Sequence, residues 1–116
     1  DLWLADLTTG ERRNLTQTPD TAESSYRWWP ARPDVVLFSA RPREIRPRPG
    51  VTGFPAAVGI DGTGYRVLDD DHDTGGPPAP SPDGQTIAYG TGTTAWLYRW
   101  EVGPEVFDPK EYGVPG

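Results

Sequence analysis

Pro78-Ala79-Pro80-Ser81-Pro82-Asp83-Gly84-Gln85-Thr86-Ile87-Ala88-Tyr89-Gly90 reads as a strand, a tight turn and a second strand. Pro82 presets φ for the turn, and Asp83-Gly84 supplies the residues that tolerate its remaining geometry. After the turn, Ile87 and Tyr89 alternate with small residues, as on a strand with one buried face. A hairpin of this kind sets the expectation for the whole chain: short antiparallel strands joined by turns.

Working outward, the hairpin belongs to an internal repeat. Leu15 aligns with Leu68, Pro30 with Pro82 and Phe38 with Tyr89, at spacings of 53, 52 and 51 residues. Within residues 26–68 four strands are expected: Tyr26 to Pro30, Asp34 to Ala40, Ala56 to Ile60, and Tyr65 to Leu68. The turn Asp61-Gly62-Thr63-Gly64 joins the last two. Residues 1–16 match the second half of such a unit, with strands at Leu2 to Leu7 and Glu11 to Thr16 around the turn Thr8-Thr9-Gly10. Residues 76–107 supply a further unit. Its third strand runs from Ala95 to Val102, with Trp96, Tyr98, Trp100 and Val102 on one face, and Glu105 to Phe107 form its fourth. Residues 108–116 read as a Pro/Gly-rich tail. No segment of ten or more residues has helical periodicity. The pattern predicts an all-β chain with almost no helix, its nine or ten strands arranged as antiparallel four-stranded blades of a partial β-propeller: a half blade at 1–16, a full blade at 26–68 and a further blade at 76–107.

Composition agrees with a turn-dense β chain. Fourteen glycines and fourteen prolines would suit a disordered segment, but five Trp, five Tyr and three Phe supply a core that such segments lack. The net charge of −6 argues against general nucleic-acid binding. No apolar run approaches membrane-spanning length, so no membrane insertion is expected. The chain starts directly on the strand-like Asp1 to Leu4, which reads as a mature product or an excised piece. It has no cysteine, so disulfides and cysteine-metal sites are excluded.

The Ser81-Pro82-Asp83-Gly84 hairpin, preceded by Leu68-Asp69-Asp70-Asp71-His72-Asp73, resembles the repeat of the TolB-like, WD40-like β-propeller family. So does Leu15-Thr16-Gln17-Thr18-Pro19-Asp20 leading to Glu23-Ser24-Ser25-Tyr26. The resemblance covers residues 1 to 102. It implies that Glu23 and Asp73 hold the acidic linker position, where a carboxylate ties successive blades together. It also implies a periplasmic or extracellular location. This sequence departs from the family at Pro80, where the repeat usually has Trp two residues before the hairpin Pro. Trp28 keeps that position in the preceding unit, but the hairpin there reads Pro30-Ala31-Arg32-Pro33-Asp34. Two and a half blades do not close a ring, and open blades expose sheet edges and faces. Three arrangements follow: a part of a longer propeller, an assembly with copies or a partner, or a small sandwich built from the same hairpins.

Few residues carry chemistry. The run Asp69 to Asp73 has carboxylates of the type that bind calcium, but its spacing does not match an EF-hand loop, and it reads as a solvated connection. His72, the single histidine, lacks a nucleophile motif beside it and reads as an exposed loop residue. No catalytic residue, metal site or cofactor is expected. The segment Arg41-Pro42-Arg43-Glu44-Ile45-Arg46-Pro47-Arg48 gives a local charge of +3 against −9 elsewhere. Its prolines favour an extended path that keeps the guanidinium groups apart. Arg41, Arg43, Arg46 and Arg48 are therefore candidates for partner binding. The adjacent Trp28 and Trp29 point to opposite sheet faces, so one is expected to be exposed at an open blade face, and Trp29 joins the candidates. The other aromatics have strand spacing and read as core. The expected function is a non-catalytic structural or protein-interaction module that meets a protein partner or itself through loops and blade faces. The alternatives are a gate fragment of a prolyl-oligopeptidase-like serine peptidase and a carbohydrate-binding propeller fragment.

Overall fold

The computed structural model describes residues 1–42, 53–70, 72–74, 76–91 and 94–106. Among these residues it is all-β, with ten strands and no helix: β1 (Trp3–Ala5), β2 (Arg12–Asn14), β3 (Thr21–Trp28), β4 (Val35–Pro42), β5 (Phe54–Gly59), β6 (Arg66–Val67), β7 (Ala79–Pro80), β8 (Thr86–Thr91), β9 (Thr94–Arg99) and β10 (Gly103–Val106). They form three open antiparallel sheets. The first holds only β1 and β2. The central sheet has the order β3-β4-β5-β6, and the third β7-β8-β9-β10. Both four-stranded sheets are meanders in which every neighbour in sequence is a neighbour in space.

Local chemistry explains the turns. Asp6 accepts the Thr8 amide at 2.9 Å and the Thr8 hydroxyl at 2.6 Å; Asp61 accepts the same pair of groups from Thr63 at 3.0 and 2.7 Å. In the Ser81 to Gln85 turn, Asp83 accepts the Ser81 hydroxyl and the Gln85 amide. Such side-chain bonds replace backbone partners and fix the reversal. Gly84 completes that turn at φ 75°, where an added Cβ would meet Ala31 at 3.3 Å.

The repeat is geometric as well as sequential. Leu15 donates its N–H to Leu2 at 2.8 Å, and Leu68 donates to Pro55 at 2.8 Å. Ile60 donates to Asp34 at 2.9 Å, as Trp100 does to Gln85 at 2.7 Å. Trp28 opposes Val36 as Pro80 opposes Ile87. The β1–β2 hairpin therefore matches β5–β6 of the central sheet, Trp3 standing where Ala56 stands, Leu4 where Ala57 stands, and Ala5 where Val58 stands.

The central sheet packs against a neighbouring sheet on each face. Val36, Phe38, Ala40, Ala56 and Val58 pack with Leu2, Leu4 and Leu15 of the first sheet. The opposite face places Trp29, Val35, Leu37, Ala57 and Leu68 against Ile87, Tyr89, Trp96, Tyr98 and Trp100 of the third. The alternation of strand residues thus sends successive side chains into two different cores. Polar bonds add to the second junction: Trp29 Nε1 donates to Ser81 at 3.1 Å and Arg32 Nε to Gly84 at 2.6 Å.

Several strands differ from expectation. β3 starts at Thr21 rather than Tyr26, and a bulge between Ser24 and Arg27, with Ser25 at φ 52°, lets it continue past an irregular register. β9 ends at Arg99 rather than Val102. Glu101 at φ 70° turns the chain there, so Val102 leaves the Trp96, Tyr98 and Trp100 face and is exposed. Phe107 and the 108–116 tail lie outside the described residues.

Candidate functional site

Among the described residues the first sheet holds β1 and β2, and a groove lies along the outer edge of β1. In an antiparallel pair, alternate residues direct their N–H and C=O groups toward the partner strand and away from it. Leu2 accepts from Leu15, and Asp6 donates to Glu11 at 2.8 Å, so Leu2, Leu4 and Asp6 face β2. The backbone groups of Trp3 and Ala5 point the other way, along an edge that no strand pairs among the described residues.

Beyond that edge the central sheet continues. Glu23, Tyr26 and Trp28 share the face of Ala40 and Val36 that looks toward the first sheet. Glu23 is covered: its buried carboxylate accepts the Thr18 hydroxyl and lies 3.2 Å from the Asp1 ammonium. Tyr26 and Trp28 lie beyond β1 and are 65% and 59% exposed. A groove of about 430 Å³ results, bounded by the Asp1 to Ala5 backbone, Leu15, Val36, Tyr26 and Trp28. Tyr26 and Trp28 therefore form an aromatic wall of the groove that remains in contact with water.

The sequence-derived candidates are distributed differently from expectation. Trp29 is not a surface residue: it is 1% exposed, meets Trp100 edge-on at 5.3 Å and spends its indole N–H on Ser81. Its neighbour Trp28 is the exposed one, because the third sheet covers one face of the β3–β4 hairpin while the short first sheet leaves the other open. Arg41 lies in β4 and is half-buried. Arg43, Arg46 and Arg48 fall outside the described residues. Asp73 accepts the Gly53 amide at 2.7 Å, ahead of β5, and Glu23 reaches the Asp1 ammonium ahead of β1. Ser81, Pro82, Asp83 and Gly84 form the turn between β7 and β8.

His72 also differs from a solvated loop residue. Its side chain is 32% exposed, its Nδ1 lies 2.8 Å from the buried Asp69 carboxylate, and its ring stacks on Trp96 with centroids 3.5 Å apart. Asp69 also accepts the Tyr89 hydroxyl at 2.7 Å. Burial first, then this carboxylate, pushes the Tyr89 hydroxyl well above the usual phenol range. With Asp69 engaged by Tyr89 and His72, and Asp73 by Gly53, these side chains brace the junction of the two larger sheets. Among the described residues no three His, Cys, Asp or Glu side chains gather as a metal site. Tyr89 and Trp96 lie 20 and 27 residues from Asp69, and the local sequence does not signal this association.

A second cleft, of about 400 Å³, opens at the far end of the same junction, between Asp34, Asp61, Arg66, Trp100 and Glu101. Arg66 lies over the Trp100 ring at 4.1 Å and Arg32 at 5.0 Å, so its aromatic surface is already engaged by cations of the chain. Among the described residues, no helix is long and apolar enough to cross a membrane. The chain matches no family model, no curated protein and no solved structure in the comparisons made.

Proposed function

We propose that the chain is a non-catalytic protein-interaction module, a portion of a TolB-like β-propeller that meets its partner through an open blade. The observation that carries this reading is the groove beside β1, where Tyr26 and Trp28 are exposed. Support for the propeller comes from the two four-stranded meanders, their repeated register and the Ser81 to Gly84 hairpin. Tyr and Trp suit such a surface because they bury much area at little conformational cost. The extracytoplasmic location rests on the family resemblance.

Photo-cross-linking tests the reading. A cross-linkable residue replaces Trp28 in one sample and Leu7, exposed but away from the groove, in another. A polypeptide captured from position 28 and not from position 7, and lost with Tyr26→Ser, is the expected outcome. Equal capture from both positions, or none from position 28, overturns it. Quenching of tryptophan fluorescence by oligosaccharides, abolished by Trp28→Phe, would instead support a carbohydrate-binding surface.

A further inference from the structure

We propose that the cleft at the junction of the two four-stranded sheets binds a small zwitterion, an α-amino acid with an apolar side chain. Arg66 would take its carboxylate, Asp34 and Glu101 its ammonium, and the apolar lining its side chain. The cleft shares no residue of the groove beside β1, so the two sites stand or fall separately.

The internal repeat isolates what is unusual in this cleft. Arg13 and Arg66 hold the same place, just ahead of Leu15 and Leu68, and oppose Leu4 and Ala57 respectively. Ile60 and Trp100 also correspond, since each returns its amide to the residue ahead of β4 or β8, Asp34 or Gln85. At the first junction the arginine is committed: Arg13 donates from Nη1 to the Ile60 carbonyl at 3.0 Å. At the second junction Trp stands in place of Ile, and the Arg66 guanidinium lies over the indole at 4.1 Å. Stacking occupies the face of a guanidinium and leaves the N–H fork in its plane able to bond. Arg66 is half-buried, and among the described residues it makes no hydrogen bond or ion pair, although three carboxylate residues line the same cleft.

The charges define the ligand. Asp61 is committed: the Thr63 hydroxyl and amide, and to a smaller degree Arg13, hold it below the usual carboxylate range. Asp34 and Glu101 are exposed and, among the described residues, make no side-chain hydrogen bond or ion pair. A plain anion at Arg66 would meet these carboxylates, and a plain cation at the carboxylates would meet Arg66. One molecule that carries both charges satisfies both sets of groups with charge-assisted bonds. Val35, Ala57 and Ile60 line the same cleft and suit a hydrocarbon side chain. Arg66 and Arg32 both lie over the Trp100 ring, so the indole is not offered as a platform for a sugar. At about 400 Å³, with apolar walls and a few polar groups, the cleft has the size and character of a small-molecule site.

The test titrates the 116-residue chain with L-leucine, L-valine and L-phenylalanine by calorimetry and follows the Trp100 indole and Arg66 Nε resonances by nuclear magnetic resonance. Two analogues of leucine each lack one charge: L-leucinamide has no carboxylate, and N-acetyl-L-leucine has no ammonium. Leucine is expected to bind saturably with a Kd below about 1 mM. Each analogue should bind about tenfold or more weakly, the loss expected when one charged hydrogen-bonding partner is removed. Arg66→Gln should weaken leucine until it binds no better than leucinamide. Asp34→Asn combined with Glu101→Gln should bring leucine down to N-acetylleucine. Arg13→Gln, at the matching position of the other junction, should leave leucine affinity unchanged. The carboxylate variants alter exposed side chains, so they still decide the matter if Arg66→Gln fails to fold. No saturable binding of any of the three amino acids overturns the proposal. Leucinamide binding as tightly as leucine overturns it in favour of a cation site, and N-acetylleucine doing so overturns it in favour of an anion site. Binding that shifts the Trp28 indole and not that of Trp100 overturns it by placing the ligand in the groove.

Discussion

The two faces of the central sheet are built from the same strands and have opposite fates. Toward the third sheet, the β3–β4 hairpin is covered: Trp29 and Leu37 are buried and the junction is tied by Trp29 to Ser81, Arg32 to Gly84 and Tyr89 to Asp69. Toward the first sheet, Val36 and Phe38 are covered while Tyr26 and Trp28 are not. The difference lies in how many strands stand opposite. Four strands cover four, and two strands cover about half. Both junctions hold a buried core, but only the one with the third sheet extends over the whole β3–β4 hairpin.

The largest test of that contrast is Trp29→Ala. Truncating a fully buried Trp at the covered junction should cost about 3–5 kcal/mol, from lost transfer energy and the cavity left behind. Urea unfolding measures it; a cost under about 1 kcal/mol would show that this junction is not the stabilising one. Tyr89→Phe should cost less, about 1.5–3 kcal/mol, because it removes a hydrogen bond to the buried Asp69 carboxylate. The same unfolding series reads it, and a neutral result would mean that the His72 ring and amide suffice for the Asp69 carboxylate without the phenol.

Acid should act on the turns of all three sheets. The Thr8, Thr63 and Ser81 hydroxyls, followed by backbone amides, hold Asp6, Asp61 and Asp83 below the ordinary carboxylate value of 3.8. A carboxyl that is more acidic in the folded state stabilises fully above its unfolded pKa. That contribution disappears as pH falls through the lowered folded value. The urea midpoint should therefore fall below about pH 4, and Asp83→Ala should make that fall shallower. An unchanged acid slope in the variant would remove this turn from the account.

The smallest effect belongs to the open face. Tyr26→Ser and Trp28→Ser should each change stability by less than about 0.5 kcal/mol, since both side chains are largely in water. Their effect should appear only in cross-linking. A loss above about 1 kcal/mol in the isolated chain would show that the groove contributes to its own fold.

Most of the architecture was legible from residue order. Asp83-Gly84 and Asp61-Gly62 mark their turns, and the 51 to 53 residue repeat places three strand groups before any coordinate is known. The bulge after Ser24 and the end of β9 at Arg99 were not legible. A bulge and a positive-φ turn at Glu101 depend on what the neighbouring strand requires, and neither leaves a local pattern. The site was half legible. Adjacent tryptophans must face opposite ways, so one exposed aromatic is expected, and the structure exposes Trp28 rather than Trp29.

The sequence alone determined that this is a chain of short antiparallel hairpins, because period-two alternation and Asx-type turns are local properties of a few residues. It also determined that Trp28 and Trp29 would part company. Which of them entered a core was decided only by the tertiary structure. Burial depends on how many strands stand across from each face, and the answer for Trp29 comes from residues about 50 positions further along the chain. The carboxylate of Asp69 shows the same division: its charge is written in the sequence, but its work is assigned by Tyr89 and His72 once the sheets have closed upon it.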